Sequence, residues 1–259
     1  MTAEFSSQLF LQLARDKGLK YGQPLTVSAE TVSTNDDALT ALKAGSPAGT
    51  VFIAERQSGG RGRHGRQWQS VPGHSLTFSL ILRPQLRGDR LSVITLLVGL
   101  AVKDALTEHG ARDLALKWPN DVVHQRRKLV GILVEKPGTS DLHDTAVVVG
   151  IGINVGAPAI PPEFTQQATA LAQLTSQLCS REQLLATILE QLERRVTQLE
   201  SVGFATLLPD IRACDALRGH AIDVDGRKGR ACGIGDAGEL LVEIADRVEA
   251  VTAGTVLYA

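Results

Sequence analysis

A glycine- and arginine-rich stretch near residue 60 constrains the local structure of this chain more than any other feature. Residues 59–68 read GGRGRHGRQW. Glycine costs about 1 kcal/mol relative to alanine inside a helix and weakens a strand, so neither regular element suits this composition. The segment is predicted to be a loop whose backbone approaches a ligand closely. Arginine pairs with carboxylates and phosphates through charge-assisted hydrogen bonds, which indicates that the ligand is anionic.

The positive charge is local. Six arginines and no Asp or Glu lie between Arg56 and Gly88, whereas the whole chain has 27 Lys and Arg, 28 Asp and Glu, and a net charge of −1. A surface that binds nucleic acid is usually basic over a much larger area. The pattern therefore favours a site for a small anion.

Composition predicts an ordinary globular protein. The chain has 259 residues, of which 43% are hydrophobic, enough for one large domain and a small appendage. The first residues lack the pattern of a signal peptide, and no apolar run is long enough to span a membrane. Three widely separated cysteines, Cys179, Cys214 and Cys232, form neither a disulfide framework nor a metal-binding spacing. We expect a cytoplasmic protein with reduced cysteines.

Periodicity and turn residues divide the chain into a large domain, 1–215, and a small β-domain, 216–259. Helices are predicted at about 5–13, 34–44, 90–109, 168–178, 181–200 and 203–216. Strands are predicted at 24–30, 51–54, 75–82, 114–117, 129–135 and 146–154. Short strands separated by turn residues are predicted at 221–224, 230–234, 239–244 and 248–252, which is typical of a small antiparallel barrel.

Three further motifs lie on or after these strands. KWPND, residues 117–121, brings a cation, an amide and a carboxylate to a strand end, where Lys117 could hold a phosphate and Asp121 a hydroxyl or Mg²⁺; a plain turn is the alternative. RKLVGILVE, residues 127–135, places Lys128 at the mouth of a buried strand, aimed either at solvent or into a site. The alternating glycines of VGIGINV, residues 149–155, clear one strand face for a flat ligand or for close helix packing.

The Gly/Arg loop and these three motifs resemble the biotin–protein ligase (biotin–[acetyl-CoA-carboxylase] ligase) family in order and spacing, and Ser33-Thr34-Asn35 matches the early ligand-binding triplet of that family. The resemblance covers about residues 28–175, and the C-terminal strands resemble the small SH3-like domain of the family. It implies an α/β (α+β) fold with a mixed β-sheet flanked by helices, of the class II aminoacyl-tRNA synthetase type, and a small C-terminal SH3-like β-barrel.

The resemblance also implies a two-step reaction. The carboxylate of biotin attacks the α-phosphate of ATP, giving biotinyl-5′-AMP and pyrophosphate. A lysine of a biotin carboxyl carrier protein domain, the expected partner, then attacks the mixed anhydride. ATP is the co-substrate and Mg²⁺ the activator. Because a carboxylate must meet a polyphosphate, positioned cations have to offset the repulsion of two anions.

Residue roles follow from the same resemblance. The catalytic group comprises Lys128, which bridges the biotin carboxylate and the α-phosphate, with Arg63 and with Asp121, which binds Mg²⁺ or orients Lys128. The expected biotin contacts are Ser33, Thr34, Asn35, Gln57, Gly60, Arg61, Gly62, Arg63, Trp68, Lys128, Gly131 and Gly152. The expected ATP contacts are Arg61, Arg63, Arg66, Trp68, Lys117, Asn120, Lys128 and Asn154. We expect residues 59–66 to be mobile without ligand and to shield the adenylate from water.

The sequence departs from the family pattern in two places. About 27 residues precede the matching region, so a ligase without a DNA-binding domain, and no binding to DNA, is expected. No tryptophan follows the Gly-x-Gly-x-Asn strand, which leaves open how adenine is held in the region 154–171. Monomer and homodimer both remain open.

Two other functions are considered. A lipoate–protein ligase or octanoyltransferase shares the core fold, but those proteins carry an Arg-Arg-x-Ser-Gly-Gly-Gly type of loop and lack Lys-Trp-Pro-Asn-Asp. An RNA-binding module could use the Arg/Gly loop, but the near-neutral charge and the aromatic content of 4% weigh against stacking platforms for bases.

Overall fold

The computed structural model describes residues 4–85, 91–138, 145–177 and 179–259. The α-helices are Ser7–Asp16 (α1), Thr34–Lys43 (α2), Leu91–Glu108 (α3), Arg181–Val202 (α4) and Leu208–Ala213 (α5). The first group of strands is Leu25–Thr31 (β1), Val51–Gln57 (β2), Ser75–Leu82 (β3), Leu114–Lys117 (β4), Asp121–His124 (β5), Arg127–Glu135 (β6) and Val147–Asn154 (β7). The second group is Ala221–Val224 (β8), Arg227–Ile234 (β9), Leu240–Ile244 (β10), Arg247–Val251 (β11) and Val256–Tyr258 (β12).

The strands form two sheets. The first has seven strands in the order β1-β2-β3-β7-β6-β5-β4. Its β1 and β2 are parallel, and every other neighbouring pair is antiparallel. The second is a five-stranded antiparallel sheet in the order β11-β10-β9-β8-β12. The predicted mixed sheet flanked by helices is confirmed, and a separate antiparallel sheet follows it. No helix in the described part of the chain is long and apolar enough to cross a membrane.

The structure differs from the sequence prediction at two of the predicted helices. The predicted helix at 168–178 was wrong: within its described residues, only Leu171–Gln173 form a short 3₁₀ turn. Its start instead lies along β6, where Lys128 N donates to Gln167 O at 2.8 Å and Thr169 N donates to Lys128 O at 2.9 Å. These tertiary hydrogen bonds satisfy the backbone groups that a helix would otherwise pair internally. The predicted helix at 203–216 is reduced to a 3₁₀ turn and the short α5.

Two short strands, β5 and β12, were not predicted from the sequence. The strand β5 has four residues, and positive φ angles at Gln125 and Arg126 form the tight turn into β6. Its sequence contains no alternation long enough to separate it from the preceding turn. The strand β12 has three residues and depends on pairing with β8, which is distant in sequence.

Alternation along the central strands gives the seven-stranded sheet two different faces. Leu80 packs with the main core beneath α3 and α4, whereas its neighbour Ile81 packs with Ala38 and Leu42 of α2. The helix α3 lies on β4, β5 and β6, and α4 packs on α3 and α1. One face is therefore closed by several helices, and the other is covered by α2 only in part.

The part of this second face that α2 leaves uncovered is cleared by glycines. Gly152 of β7 lies between Thr77 of β3 and Gly131 of β6 in the register of the sheet. A Cβ atom on Gly152 would lie 2.2 Å from Cε2 of Trp68, and one on Gly150 would lie 2.2 Å from Oδ1 of Asn35. The alternating glycines therefore make room for these two side chains against the sheet.

The second sheet packs on the first without a break in the core. Leu217, Ile222 and Val224 belong to the same cluster of buried residues as the helix-covered face of the first sheet. The buried Trp118 donates from Nε1 to the carbonyl of Gly238 at 3.1 Å. Arg63 donates from Nη1 to the carbonyl of Gly254 at 3.3 Å, which links the Gly/Arg loop to the C-terminal strands.

A buried ion pair ties β2 to the start of α4. Glu55 and Arg181 are 8% and 7% exposed, and their paired contacts measure 2.6 and 2.7 Å. The amides of Phe5 and Gly73 also donate to the Glu55 carboxylate, at 2.7 and 3.0 Å. Burial acts to raise the pKa of Glu55, but the hydrogen bonds from Arg181 and these amides outweigh it and lower the pKa.

We expect Glu55→Gln to lower the free energy of unfolding at pH 7 by about 3 kcal/mol, because it removes the carboxylate that neutralises a buried guanidinium. Glu55 has a lowered pKa in the folded state. Its stabilising effect is therefore present above the ordinary pKa and is lost as the pH falls through the folded pKa. Urea unfolding should show the gap between wild type and variant narrowing in that acidic range.

Glu190→Gln is the matched control, since Glu190 pairs with Lys17 on the surface. Its cost should stay within about 1 kcal/mol at every pH. An equally small cost for Glu55→Gln would contradict the role given to the buried pair.

Candidate active site

A cavity of about 170 Å³ opens on the glycine-cleared face of the seven-stranded sheet. It lies between the Gly/Arg loop, the start of α2, the KWPND turn and residues 254–257 of the second sheet. It brings together most of the side chains that the sequence indicated: Ser33, Thr34, Asn35, Gln57, Arg61, Gly62, Arg63, Arg66, Trp68, Lys117, Asn120, Asp121, Lys128, Gly131 and Gly152.

Lys128 and Asp121 form an ion pair within the cavity. Lys128 Nζ lies 2.7 Å from Asp121 Oδ1, although the contact is not aligned as a hydrogen bond. The same Nζ lies 5.7 Å from the centre of the Trp68 ring. Gly131 makes this arrangement possible, since its Cβ would lie 3.0 Å from both Lys128 Cε and Trp68 Cζ3. The ammonium group is thus held beside both a carboxylate and an aromatic ring.

The other cations around Asp121 are partly withdrawn from water. Burial lowers the pKa of Lys117; Asp121 opposes this shift, whereas Lys128 and Arg66 add to it. Burial is also the main cause of the lowered pKa of Arg63. Lys117 Nζ lies 5.2 Å from the centre of the Tyr258 ring. An anionic ligand would relieve this concentration of positive charge.

Arg61 is directed toward carboxylates at the rim of the cavity. Its Nη2 lies 2.7 Å from Asp36 Oδ1 and 3.0 Å from Glu135 Oε2. The loop around it is closed by hydrogen bonds from Gly62 N to Arg66 O, at 2.7 Å, and from Trp68 N to the carbonyl of Gly60, at 2.9 Å.

The start of α2 presents a connected group of polar side chains. Gln57 Oε1 accepts from Thr34 N at 2.8 Å and from Thr34 Oγ1 at 3.1 Å. Ser79 Oγ lies 2.7 Å from Thr34 Oγ1 and 2.5 Å from Asn35 Oδ1. Ser33 occupies the expected N-cap position of α2, but its side chain makes no capping hydrogen bond. These contacts fix the orientation of the triplet at the cavity wall.

Three residues of the cavity wall carry buried polar atoms that lack a hydrogen-bond partner within the described part of the chain: Trp68 Nε1, Thr77 Oγ1 and Asp121 Oδ1, the last of which has only its ionic contact with Lys128. Leaving such a group unpaired costs about 1–3 kcal/mol. This unmet capacity suits a ligand that carries polar atoms.

Two of the residues indicated by the sequence do not line the cavity. Asn154 is buried and donates from Nδ2 to the carbonyl of Thr169 at 3.1 Å, which fixes the end of β7. Gly60 is required for the shape of the loop, because a Cβ there would lie 2.4 Å from Trp68 O.

Other lining residues were missed by the sequence analysis, notably Thr77, Phe78, Leu133 and residues 254–257. Thr77 had a usable signal, since Ser75, Thr77 and Ser79 alternate with apolar residues and so share one face of β3. The segment 254–257 carried no local signal and is brought to the cavity by the pairing of β12 with β8.

The residues do not fit a resident magnesium ion. Within the described ranges, no group of three or more His, Cys, Asp or Glu side chains could hold a metal. Asp121 is already paired with Lys128, and the charges of Lys117 and Arg63 also act on it. Mg²⁺ usually enters such sites through substrate phosphates and one or two carboxylates.

Comparison with solved structures finds biotin protein ligases. The chain is similar to a biotin protein ligase from Aquifex aeolicus in complex with biotin and ATP, with 28% identity and a TM-score of 0.81 over 92% of this chain and 100% of that chain. It is also similar to a biotin protein ligase from Leishmania major in complex with biotinyl-5-AMP, with 25% identity and a TM-score of 0.63 over 89% of this chain and 99% of that chain.

Sequence comparison places the chain in a family. The model of the biotin/lipoate A/B protein ligase family matches residues 27–154. The chain is 33% identical to a biotin–[acetyl-CoA-carboxylase] ligase of Mycobacterium tuberculosis, over 90% of this chain and 88% of that protein. It is 33% identical to the bifunctional ligase/repressor BirA of Bacillus subtilis, over 89% of this chain and 72% of that protein. The chain belongs to the biotin/lipoate A/B protein ligase family, and within it to the biotin protein ligases.

Proposed function

We propose that this protein is an ATP-dependent biotin–protein ligase, which activates biotin as biotinyl-5′-AMP and transfers it to a lysine of a biotin carboxyl carrier protein domain. The observation that carries the proposal is the cavity in which Lys128, Lys117, Arg63 and Arg66 surround the single carboxylate of Asp121. Solved relatives that hold biotin and ATP, or biotinyl-5-AMP, support the same chemistry.

In the first step, the carboxylate of biotin and the α-phosphate of ATP have to approach each other. Lys128 bridges the two anions, and Asp121, 2.7 Å away, holds its ammonium group in place. Arg63 stabilises the charge that develops on the phosphate, while Arg66 and Lys117 contact the triphosphate. Asn120, whose amide donates to the carbonyl of Ile132, lies beside them. Mg²⁺ enters the site bound to the phosphates of ATP.

The ring end of biotin occupies the opposite part of the cavity. Ser33, Thr34, Asn35 and Gln57 offer the polar groups that suit its ureido ring. Trp68 forms an apolar wall above the surface cleared by Gly131 and Gly152, and the backbone at Gly62 and the side chain of Arg61 border the entrance. The role of Asn154 toward the nucleotide is indirect in this scheme, because it acts through the position of the β7 end.

Gly60 also has an indirect role, because its lack of a side chain permits the shape of the Gly/Arg loop.

The proposal also covers the domain organisation of the chain. A catalytic domain of the class II aminoacyl-tRNA synthetase type, 1–215, precedes an SH3-like barrel, 216–259; the break between α5 and β8 and the five-stranded antiparallel order of the second sheet support this division. The protein works in the cytoplasm as a monomer or homodimer, on the carrier domain of a biotin-dependent carboxylase and without DNA.

The defining experiment is exchange of labelled pyrophosphate into ATP. We expect exchange that depends on biotin. Labelled pyrophosphate enters ATP only when biotinyl-5′-AMP has formed and the first step then runs in reverse. Exchange with lipoate or octanoate but not with biotin would instead support the related acyl ligases. Absence of exchange with all three acids would contradict the assignment.

In the same assay, we expect Lys128→Ala to reduce biotin-dependent exchange by about 100-fold or more, because a cation aimed at the developing charge is lost. Transfer from supplied biotinyl-5′-AMP to the carrier domain should fall much less. Lys43→Ala, which changes an exposed lysine at the end of α2, is the matched control. Full exchange by Lys128→Ala would mean that another group bridges the two anions.

We expect hydrogen exchange at the amides of residues 59–66 to slow when biotin and ATP are added. A loop that closes over the adenylate excludes the water that would hydrolyse it. The amides of β3 serve as an internal reference, since they should be protected in both conditions. Identical protection of the loop with and without ligands would contradict closure.

We expect Gly152→Ala to weaken biotin binding by about tenfold, because the new Cβ displaces the Trp68 ring from the sheet. Titration calorimetry measures the affinity. Gly138→Ala is the control, as a Cβ at that position meets no atom within 4 Å. A Gly152→Ala variant that binds biotin as tightly as wild type would remove Trp68 from the proposed wall.

A further inference from the structure

Glu135 is the last residue of β6 and contacts two parts of the cavity that are distant in sequence. Its Oε2 accepts from Asn35 Nδ2 at 2.6 Å and lies 3.0 Å from Arg61 Nη2. Asn35 belongs to the start of α2, and Arg61 belongs to the Gly/Arg loop. One carboxylate oxygen therefore joins a strand, a helix and a loop.

Glu135 also fixes the direction of the Asn35 amide. An ionised carboxylate only accepts hydrogen bonds, so it selects the amide nitrogen of Asn35 and turns Oδ1 away. That oxygen lies 2.5 Å from Ser79 Oγ, and the absence of a side chain at Gly150 leaves room for it. The amide is thus held from both ends, since its oxygen contacts Ser79 and its nitrogen donates to Glu135 at 2.6 Å and, at the longer distance of 3.5 Å, to the carbonyl of Leu133.

Arg61 has two acidic partners, but they are not equivalent. Asp36 Oδ1 lies 2.7 Å from Arg61 Nη2 and supports the guanidinium from the side of α2. Glu135 contacts the same nitrogen with the oxygen that also accepts from Asn35. A change at Asn35 can therefore be transmitted to Arg61 through Glu135.

We propose that Glu135 is a positioning residue that couples Asn35 to Arg61, so that the ring-binding triplet and the anion-binding loop are oriented by the same carboxylate. The inference rests on the proposed function, because it takes Asn35 and Arg61 as biotin contacts. Glu135 itself touches neither reacting group and acts through these two side chains.

A double-mutant cycle on the full chain tests the coupling, with the dissociation constant for biotin as the readout. The variants are Asn35→Ala, Arg61→Ala and their combination, each made with Glu135 present and with Glu135→Gln. With Glu135 present, the combined loss of affinity should differ from the product of the single losses by about threefold or more. With Glu135→Gln, the single losses should multiply.

Two further variants guard the interpretation. Glu135→Asp keeps the charge but has a shorter side chain, so it should also abolish the coupling. It provides a second measurement if the glutamine variant does not fold. Glu30→Gln is the matched control, because Glu30 is exposed and its Oε2 lies 3.9 Å from Arg56 Nη1. It should leave the affinity within about twofold, as expected for a surface ion pair.

The same coupling with and without Glu135 would overturn the proposal while leaving the ligase assignment intact. Failure of the wild-type protein to bind biotin at all would overturn the proposed function itself, so the two outcomes are separable. Loss of coupling in both Glu135 variants, with an unchanged cycle in Glu30→Gln, is the expected result.

Discussion

The space above Gly131, Gly150 and Gly152 is the constraint on which the site depends. A single Cβ at Gly150 or Gly152 would come within 2.2 Å of Asn35 or Trp68. Because no side chain stands there, the start of α2 and the Gly/Arg loop both reach the sheet and leave a cavity between them. The glycines were predicted to clear one strand face for a flat ligand or for close helix packing. In the structure they make room for Asn35 at the start of α2 and for Trp68, which form walls of the cavity.

The two faces of the seven-stranded sheet differ in how their buried charges are neutralised. On the helix-covered face, Glu55 and Arg181 are buried together and their charges cancel. On the open face, Lys128, Lys117 and Arg63 share the one carboxylate of Asp121 in a partly desolvated cavity. The first arrangement links β2 to α4 and is neutral without a ligand. The second carries an excess of positive charge that a carboxylate and a phosphate can neutralise.

The C-terminal sheet is part of this arrangement. Residues 254–257 line the cavity, Gly254 accepts from Arg63, and the ring of Tyr258 lies beneath Lys117. The buried Trp118 also donates to Gly238 of the second sheet. The KWPND turn is thus held between the two sheets, which explains how Lys117, at the end of β4, can be withdrawn from water and yet face a ligand.

The sequence by itself determined the long elements and the kind of chemistry. Strands such as β3 and β7 and the helices α2 and α4 follow from periodicity and turn residues. The composition of the Gly/Arg loop indicates an anion site, and Lys128 and Asp121 were indicated by their motifs together with the family resemblance. Tertiary structure decided the rest. Gln167 and Thr169 form backbone hydrogen bonds with Lys128 of β6 where a helix had been predicted to begin, and β12 depends on β8. The directions of Arg61 and Asn35 depend on Glu135. These features depend on contacts between residues far apart in the chain, which no local pattern of residues encodes.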